Sequence, residues 1–177
     1  MMKRAVHKGR ITNKLICMDI FPGGYLNNIS SILLERNETI AVAESVTSGL
    51  MQVAFSSAEG SIGFYQGGIT AYNIAQKYKH LNVEPIHALA CNCVSEKVAI
   101  EMALHVCPLF SSDWGIGITG YATPVPESGN EVFAWYAIAF KGEIKRTEKL
   151  SPQKGESFNL QLFYCKEVLK TLSETIT

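Results

Sequence analysis

Ser45 stands in the segment Ala43-Glu44-Ser45-Val46-Thr47-Ser48-Gly49, where a short apolar run gives way to a helical pattern. A serine at such a junction lies near the free backbone N–H groups that open a helix. Those groups and the helix dipole can stabilise an oxyanion or hold a phosphate. The same position suits an N-cap filled by Ser45 or Thr47, and spacing alone favours capping, the commoner use of such residues. Farther on, Lys77 follows Tyr72 by five residues. A lysine serves as general base to a serine when burial favours its neutral form. Taken alone, Lys77 reads more readily as a solvated helix lysine, with Lys79 beside it, and Tyr72 as a core aromatic with a satisfied hydroxyl.

Other chemistries find less support. Cys91-Asn92-Cys93 has one intervening residue and no second pair, unlike common zinc sites. His7, His80, His87 and His105 form no metal-ligand spacing, and no Gly-x-Ser-x-Gly elbow is present. A Walker-type loop is also missing. Gly115-Ile116-Gly117-Ile118-Thr119-Gly120 has the spacing Gly-x-Gly-x-x-Gly, but the run lies within an apolar strand pattern and opens no helix, so Trp114 to Gly117 reads as sheet packing.

The elements that must carry these residues follow from periodicity. Tyr25, Ile29, Ile32 and Leu33 predict an amphipathic helix over 25–37. Thr39 to Ala43 reads as a buried strand, residues 44–49 as a turn, and Leu50, Val53 and Ala54 as a further helix. Ser45 then lies at the carboxyl end of a strand, where open α/β sheets bind ligands. Gly67 to Tyr72 reads as a second strand, followed by a short helix holding Lys77. Val94, Val98, Met102 and Val106 give residues 94–107 one buried stripe. Trp114 to Thr119 reads as a third strand, 120–129 as a loop, and Val132 to Phe140 as a central strand buried on both faces. Lys141-Gly142-Glu143 is a turn signal, so Ile144 to Leu150 returns antiparallel. Phe158, Leu162, Cys165, Leu169 and Leu172 mark a last amphipathic helix. The expected fold is a three-layer α/β/α sandwich with a mixed, mostly parallel sheet, in one domain over 25–177. Residues 1–24, basic and ending in Pro22-Gly23-Gly24, read as an extension.

Bulk properties agree with one ordinary domain. The 177 residues are 47% hydrophobic and 18% charged, enough for a core without disulfides or metals. Sixteen basic and sixteen acidic side chains cancel, so charge points to neither nucleic acid nor an anionic membrane as partner. No apolar run approaches the ~20 residues of a membrane span. Five cysteines, Cys17, Cys91, Cys93, Cys107 and Cys165, without an apolar leader segment after Met1 to Arg10, argue for reduced thiols in a cytoplasmic protein.

Together the motifs resemble one family, the carboxy-terminal CinA-type domain, whose characterised members are nicotinamide-nucleotide amidases. The family's Ala-Glu-Ser-Cys-Thr-Gly-Gly corresponds to Ala43 through Gly49. Its Gly-Ser-Ser and Tyr-Ser-Asn-Glu-Ala-Lys correspond to Gly60-Ser61-Ile62 and Tyr72-Asn73-Ile74-Ala75-Gln76-Lys77, keeping the tyrosine–lysine spacing. Val94-Ser95-Glu96-Lys97-Val98-Ala99 matches a family helix start, and Thr119-Gly120-Tyr121-Ala122-Thr123-Pro124 its Thr-Gly-x-Ala-Gly-Pro loop. The resemblance implies hydrolysis of the amide of nicotinamide mononucleotide with Ser45 as nucleophile, Lys77 as base and Tyr72 orienting lysine or substrate. It implies an oxyanion cradle of N–H groups at the helix start after Ser45. Substrate contacts are expected from Thr47, Ser48, Gly49, Thr119, Gly120 and Lys154, with no metal or organic cofactor. The expected partners are a small-molecule substrate and further copies of the chain, with no nucleic acid and no membrane.

The chain departs from the pattern at Val46, Ser48, Ile62 and Thr123, and residues 151–159 hold Lys154 but no arginine where the family meets the substrate phosphate. Two readings follow: an amidase for the mononucleotide or a related small amide, or a non-catalytic ligand-binding or assembly domain of the same fold. A buried Lys77 within reach of Ser45 favours the first. A solvated Lys77, or a pocket plugged by Ile62 or Thr123, favours the second.

Overall fold

The computed structural model describes Ile20, Phe21 and residues 23–177; most of the expected extension over 1–24 lies outside the described residues. The elements run α1 (Gly23–Arg36), β1 (Ile40–Glu44), α2 (Leu50–Ser57), β2 (Tyr65–Thr70), α3 (Ile74–Leu81), α4 (Pro85–Ala90), α5 (Glu96–Phe110), β3 (Trp114–Tyr121), β4 (Phe133–Phe140), β5 (Glu143–Leu150) and α6 (Ser157–Ile176). Among the described residues the strands form one sheet of order β2-β1-β3-β4-β5. β1 pairs parallel with β2 and β3, whereas β3–β4 and β4–β5 pair antiparallel. Four of the five strands therefore share one direction and β4 alone opposes them, so the mixed sheet is mostly parallel by strand direction but evenly divided by pairing. The chain leaves β1 for β2 on one side and later returns to β3 on the other. That reversal opens a crevice at the carboxyl ends of β1 and β3.

The layers are set by an alternation of large and small side chains along each inner strand. Ile40, Val42, Ile116, Ile118, Tyr136 and Ile138 pack against α1, α2 and α6 in the larger core, which also takes in Phe21. Ala41 and Ala43 pack on the opposite face with residues of α3, α4 and α5, and Ala137 and Ala139 pack there against α5. Gly115 and Gly117 complete this small-residue face. A methyl at Gly117 would run into the Ala99 carbonyl and lie 2.5 Å from the Ala103 nitrogen, so the α5 backbone rests directly on β3. The reading of these glycines as sheet packing has this contact as its physical basis.

Several details differ from expectation, among them that β3 runs on through Gly120 to Tyr121, paired with β4, where a loop was expected. β2 begins at Tyr65 and ends at Thr70, which leaves Tyr72 beyond the strand. Phe158 is exposed rather than part of the α6 stripe, because it lies in the first turn, before the helix meets the core at Leu160. The short helix α4 was not expected. Its signal is Glu84-Pro85: the Glu84 carboxylate accepts from the N–H groups of Ile86 (2.9 Å) and His87 (2.7 Å), with proline at the first helical position. No helix among the described residues is long and apolar enough to cross a membrane.

Candidate active site

Parallel β1 and β2 end side by side, so the segments that follow them, carrying Ser45 and Tyr72, emerge at the same edge of the sheet. Asn73 then caps α3 by accepting from the Gln76 N–H at 3.0 Å. The helix turns Lys77 and Leu81 inward, one helical turn apart. Lys77 is 1% exposed and Ser45 is also buried. The Lys77 Nζ lies 2.8 Å from Ser45 Oγ, 2.7 Å from the Ala71 carbonyl oxygen and 3.5 Å from that of Tyr72. An ammonium can donate to all three oxygens. A neutral amine keeps two N–H donors for the two carbonyls and turns its lone pair to the serine hydroxyl. Burial pushes the Lys77 ammonium down from the ordinary lysine range to about 8, opposed by the nearby Cys93 thiol. Burial likewise pushes the Cys93 thiol up, against the pull of Lys77.

Above this pair opens a cavity of about 440 Å³ lined by Ser45, Lys77, Tyr72, Asn92, Cys93, Thr119, Gly120, Thr123 and Gln161, among others. Its walls are tied together. Thr119 Oγ1 donates to the Cys93 carbonyl at 2.8 Å, and Asn92 Nδ2 to the Tyr121 hydroxyl at 3.0 Å. Gln161 Nε2, reaching down from α6, donates to the Val46 carbonyl at 2.8 Å. Asn92 and Cys93 both take left-handed backbone angles, with φ of 49° and 61°, at the turn between α4 and α5. Such strain in a non-glycine residue persists only where the surroundings hold it.

Of the residues singled out from the sequence, Ser45, Tyr72, Lys77, Thr119 and Gly120 meet at this cavity. The Tyr72 side chain is 74% exposed at the mouth, and its contact with Lys77 runs through its main-chain carbonyl. Thr47, Ser48, Gly49 and Lys154 are not among the lining residues. Thr47 is fully buried, with its hydroxyl turned to Glu44 (2.5 Å). Ser48 is exposed, and the Gly49 N–H donates to Glu44 at 3.1 Å. Lys154 lies 4.0 Å from Glu131. Thr123 lines the cavity without closing it, and Ile62 points to solvent, 96% exposed, away from it.

The expected oxyanion cradle at the start of α2 needs correction. The Glu44 carboxylate already accepts from the N–H groups of Gly49 (3.1 Å), Met51 (3.1 Å) and Gln52 (3.0 Å). The Ser45 N–H goes to the Ile118 carbonyl at 3.0 Å. Among the described residues, no acceptor takes the main-chain N–H of Val46 or Thr47. Of these two, Val46 lines the cavity and Thr47 is fully buried, so the Val46 N–H is the donor left beside Ser45. Sequence reasoning also passed over Asn92, Cys93, Tyr121 and Gln161 as cavity residues. Gln161 had a signal, lying one helical turn from Ser157 on α6, and both line the cavity.

The CinA C-terminal domain model matches residues 25–176. A CinA-like protein of Picosynechococcus sp. is 41% identical over 112 residues, 63% of this chain and 27% of its own length. A CinA-like protein of Thermosynechococcus vestitus is 40% identical over 134 residues, 73% of this chain and 32% of its own length. The chain thus spans about a quarter to a third of the curated relatives it matches. Among solved structures, a competence-damaged protein (CinA) superfamily protein of Escherichia coli is similar with a TM-score of 0.80 at 27% identity, covering 89% of this chain and 91% of its own. A competence or damage-inducible protein of Enterobacter asburiae is similar with a TM-score of 0.82 at 25% identity, covering 88% and 98%.

Proposed function

This chain belongs to the CinA C-terminal domain family, and from that premise we propose that it is an amidohydrolase that releases ammonia from nicotinamide mononucleotide or a related small amide. The observation that carries this reading is the buried contact of 2.8 Å between Lys77 Nζ and Ser45 Oγ on the floor of an open cavity. A buried lysine is rare in a protein that does not use it. One with lowered basicity beside a serine hydroxyl suits proton abstraction near neutral pH.

In this mechanism, neutral Lys77 takes the Ser45 hydroxyl proton as Oγ bonds to the amide carbon. The carbonyl oxygen becomes an oxyanion, received by the N–H group of Val46. When the intermediate collapses, the C–N bond breaks and Lys77 gives its proton to the departing nitrogen, which leaves as ammonia. The acyl group now sits as an ester on Ser45. Lys77, neutral again, takes a proton from water as the water oxygen attacks. The second collapse returns that proton to Ser45 and frees the acid. The Ala71 and Tyr72 carbonyls hold the lysine nitrogen in place throughout.

The non-catalytic reading needed a solvated lysine or a plugged pocket, and two observations weigh against it: Lys77 is buried, and the cavity is open. The test is formation of ammonia and the acid nucleotide from nicotinamide mononucleotide by the purified protein. Turnover should vanish in Ser45→Ala. Turnover that survives this substitution, or no turnover of any small amide, contradicts the proposal.

A further inference from the structure

Glu44 lies fully buried at the end of β1, immediately before Ser45. A buried carboxylate normally needs a cation or several donors. Here the partners found among the described residues are all donors of one turn. Oε2 accepts from Thr47 Oγ1 (2.5 Å) and from the N–H groups of Gly49 and Met51 (3.1 Å each), and Oε1 from the Gln52 N–H (3.0 Å). The main chain of the same residue points the other way. Its carbonyl accepts from the Ala71 N–H at 2.8 Å, and the Ala71 carbonyl in turn accepts from Lys77 Nζ at 2.7 Å. The side chain of Glu44 thus fixes the serine's turn, while its backbone joins the segment after β2 that anchors the lysine.

The turn needs fixing. Ser48 and Gly49 take consecutive left-handed conformations, with φ of 52° and 101°. Gly49, at the N-cap of α2, offers no side chain to its helix. A carboxylate reaching forward from position 44 supplies the missing acceptor for three N–H groups that would otherwise be open at the helix start.

We infer that Glu44 is a positioning residue for Ser45, acting through the turn of residues 45–52. It holds the turn in the shape that sets Ser45 Oγ opposite Lys77. It also fills the donor cradle of α2, so that an anion formed at Ser45 is received by Val46 instead. This rests on the proposed role of Ser45 and adds to it a residue that touches neither substrate nor lysine through its side chain.

Glu44→Gln tests it, since the amide has the same shape but turns an NH₂ group toward N–H donors. Misplacing a nucleophile by about 1 Å costs on the order of 100-fold, so kcat should fall by that much with little change in KM. The pH limb set by Lys77 should stay where it is, because the lysine is anchored by main chain. A helix cap with a purely structural role would lower the melting temperature of Glu44→Gln and leave the kinetics of the folded fraction intact, which would overturn the inference. A second readout is independent of the substrate: the rate at which a sulfonyl fluoride modifies Ser45, followed by peptide mass. Slower labelling of folded Glu44→Gln supports the inference, and wild-type labelling rates in that variant overturn it. If wild type itself is not labelled at Ser45, the proposed nucleophile fails, and the inference with it. Should Glu44→Gln not fold, Thr47→Val removes one of the four hydrogen bonds. About tenfold slower labelling is then expected, the worth of one hydrogen bond to a charged group, and an unchanged rate overturns the inference.

Discussion

At the scale of single residues, the proposed mechanism turns on where one proton sits. Lys77 must be neutral to take the proton of Ser45, and burial has brought its basicity down to about 8. The sign of the pH dependence follows. Below that value most of the lysine is protonated and kcat/KM should rise about tenfold per pH unit; above it the rate should level off. A profile measured from about pH 6 to 10 with the limb near 8 is expected, and a limb above about 10, the range of a solvated lysine, would remove Lys77 as the base. From spacing alone, Ser45 read as a cap and Lys77 as a surface lysine, and both readings misplace something real. The start of α2 is indeed held by an acceptor, but the acceptor is Glu44, which leaves Ser45 free. Lys77 had a legible signal: Ile74, Lys77 and Leu81 share one helical face, so the lysine stands on the apolar stripe rather than beside exposed Tyr78 and Lys79. The depth of its burial was not legible, because it comes from α3 packing against α5 and β1, far apart in sequence.

The elements place these residues by a division of side-chain size. Alternation in Ile40-Ala41-Val42-Ala43, in Gly115-Ile116-Gly117-Ile118 and in Tyr136-Ala137-Ile138-Ala139 sends bulk toward α1 and α6 and leaves a nearly flat face for α5. That close approach fixes α5, and the turn before it brings Cys93 and Asn92 to the cavity wall. Gly117→Ala should therefore be severe although it adds one methyl, since the obstacle is the α5 backbone at Ala99 and Ala103. A loss of about 2–3 kcal/mol in urea unfolding is expected, with the denaturant slope unchanged, and a loss under about 0.5 kcal/mol would show that α5 can move away freely. Strand and helix identities followed from periodicity because each inner strand and amphipathic helix carries a strong pattern of its own. What escaped had a local cause. Helix α4 is too short to show a period, β2 contains Gly67 and Gly68 and reads weakly at its start, and Phe158 falls on the helical stripe but lies before the core begins. The cavity itself was illegible as a whole, since its wall joins residues from the turn after β1 and from α3, α4, β3 and α6.

Seen as a whole molecule, the protein is electrically balanced, with sixteen basic and sixteen acidic side chains. Among the described residues, Lys77 is the one cation lining the cavity, and it is engaged with Ser45. Arg146 lies 3.8 Å from Glu148, Arg36 donates to the Ile176 carbonyl, and Lys154 faces Glu131. Among the described residues, then, none offers a substrate phosphate at this cavity the paired N–H donors of an arginine. Nicotinamide mononucleotide should be preferred over nicotinamide riboside by less than about 100-fold in kcat/KM, the worth of one charge-assisted hydrogen bond. A larger preference would reveal a phosphate clamp. The central claim is that Ser45 and Lys77 act as one unit, and it is tested most directly by ammonia release from nicotinamide mononucleotide in wild type, Ser45→Ala, Lys77→Ala and the double variant. The two single variants should lose kcat by nearly the same factor, on the order of 10⁴ or more, and the double variant should lose no more than either. A Lys77→Ala protein that turns over within about tenfold of wild type, while Ser45→Ala is inactive, would contradict the dyad.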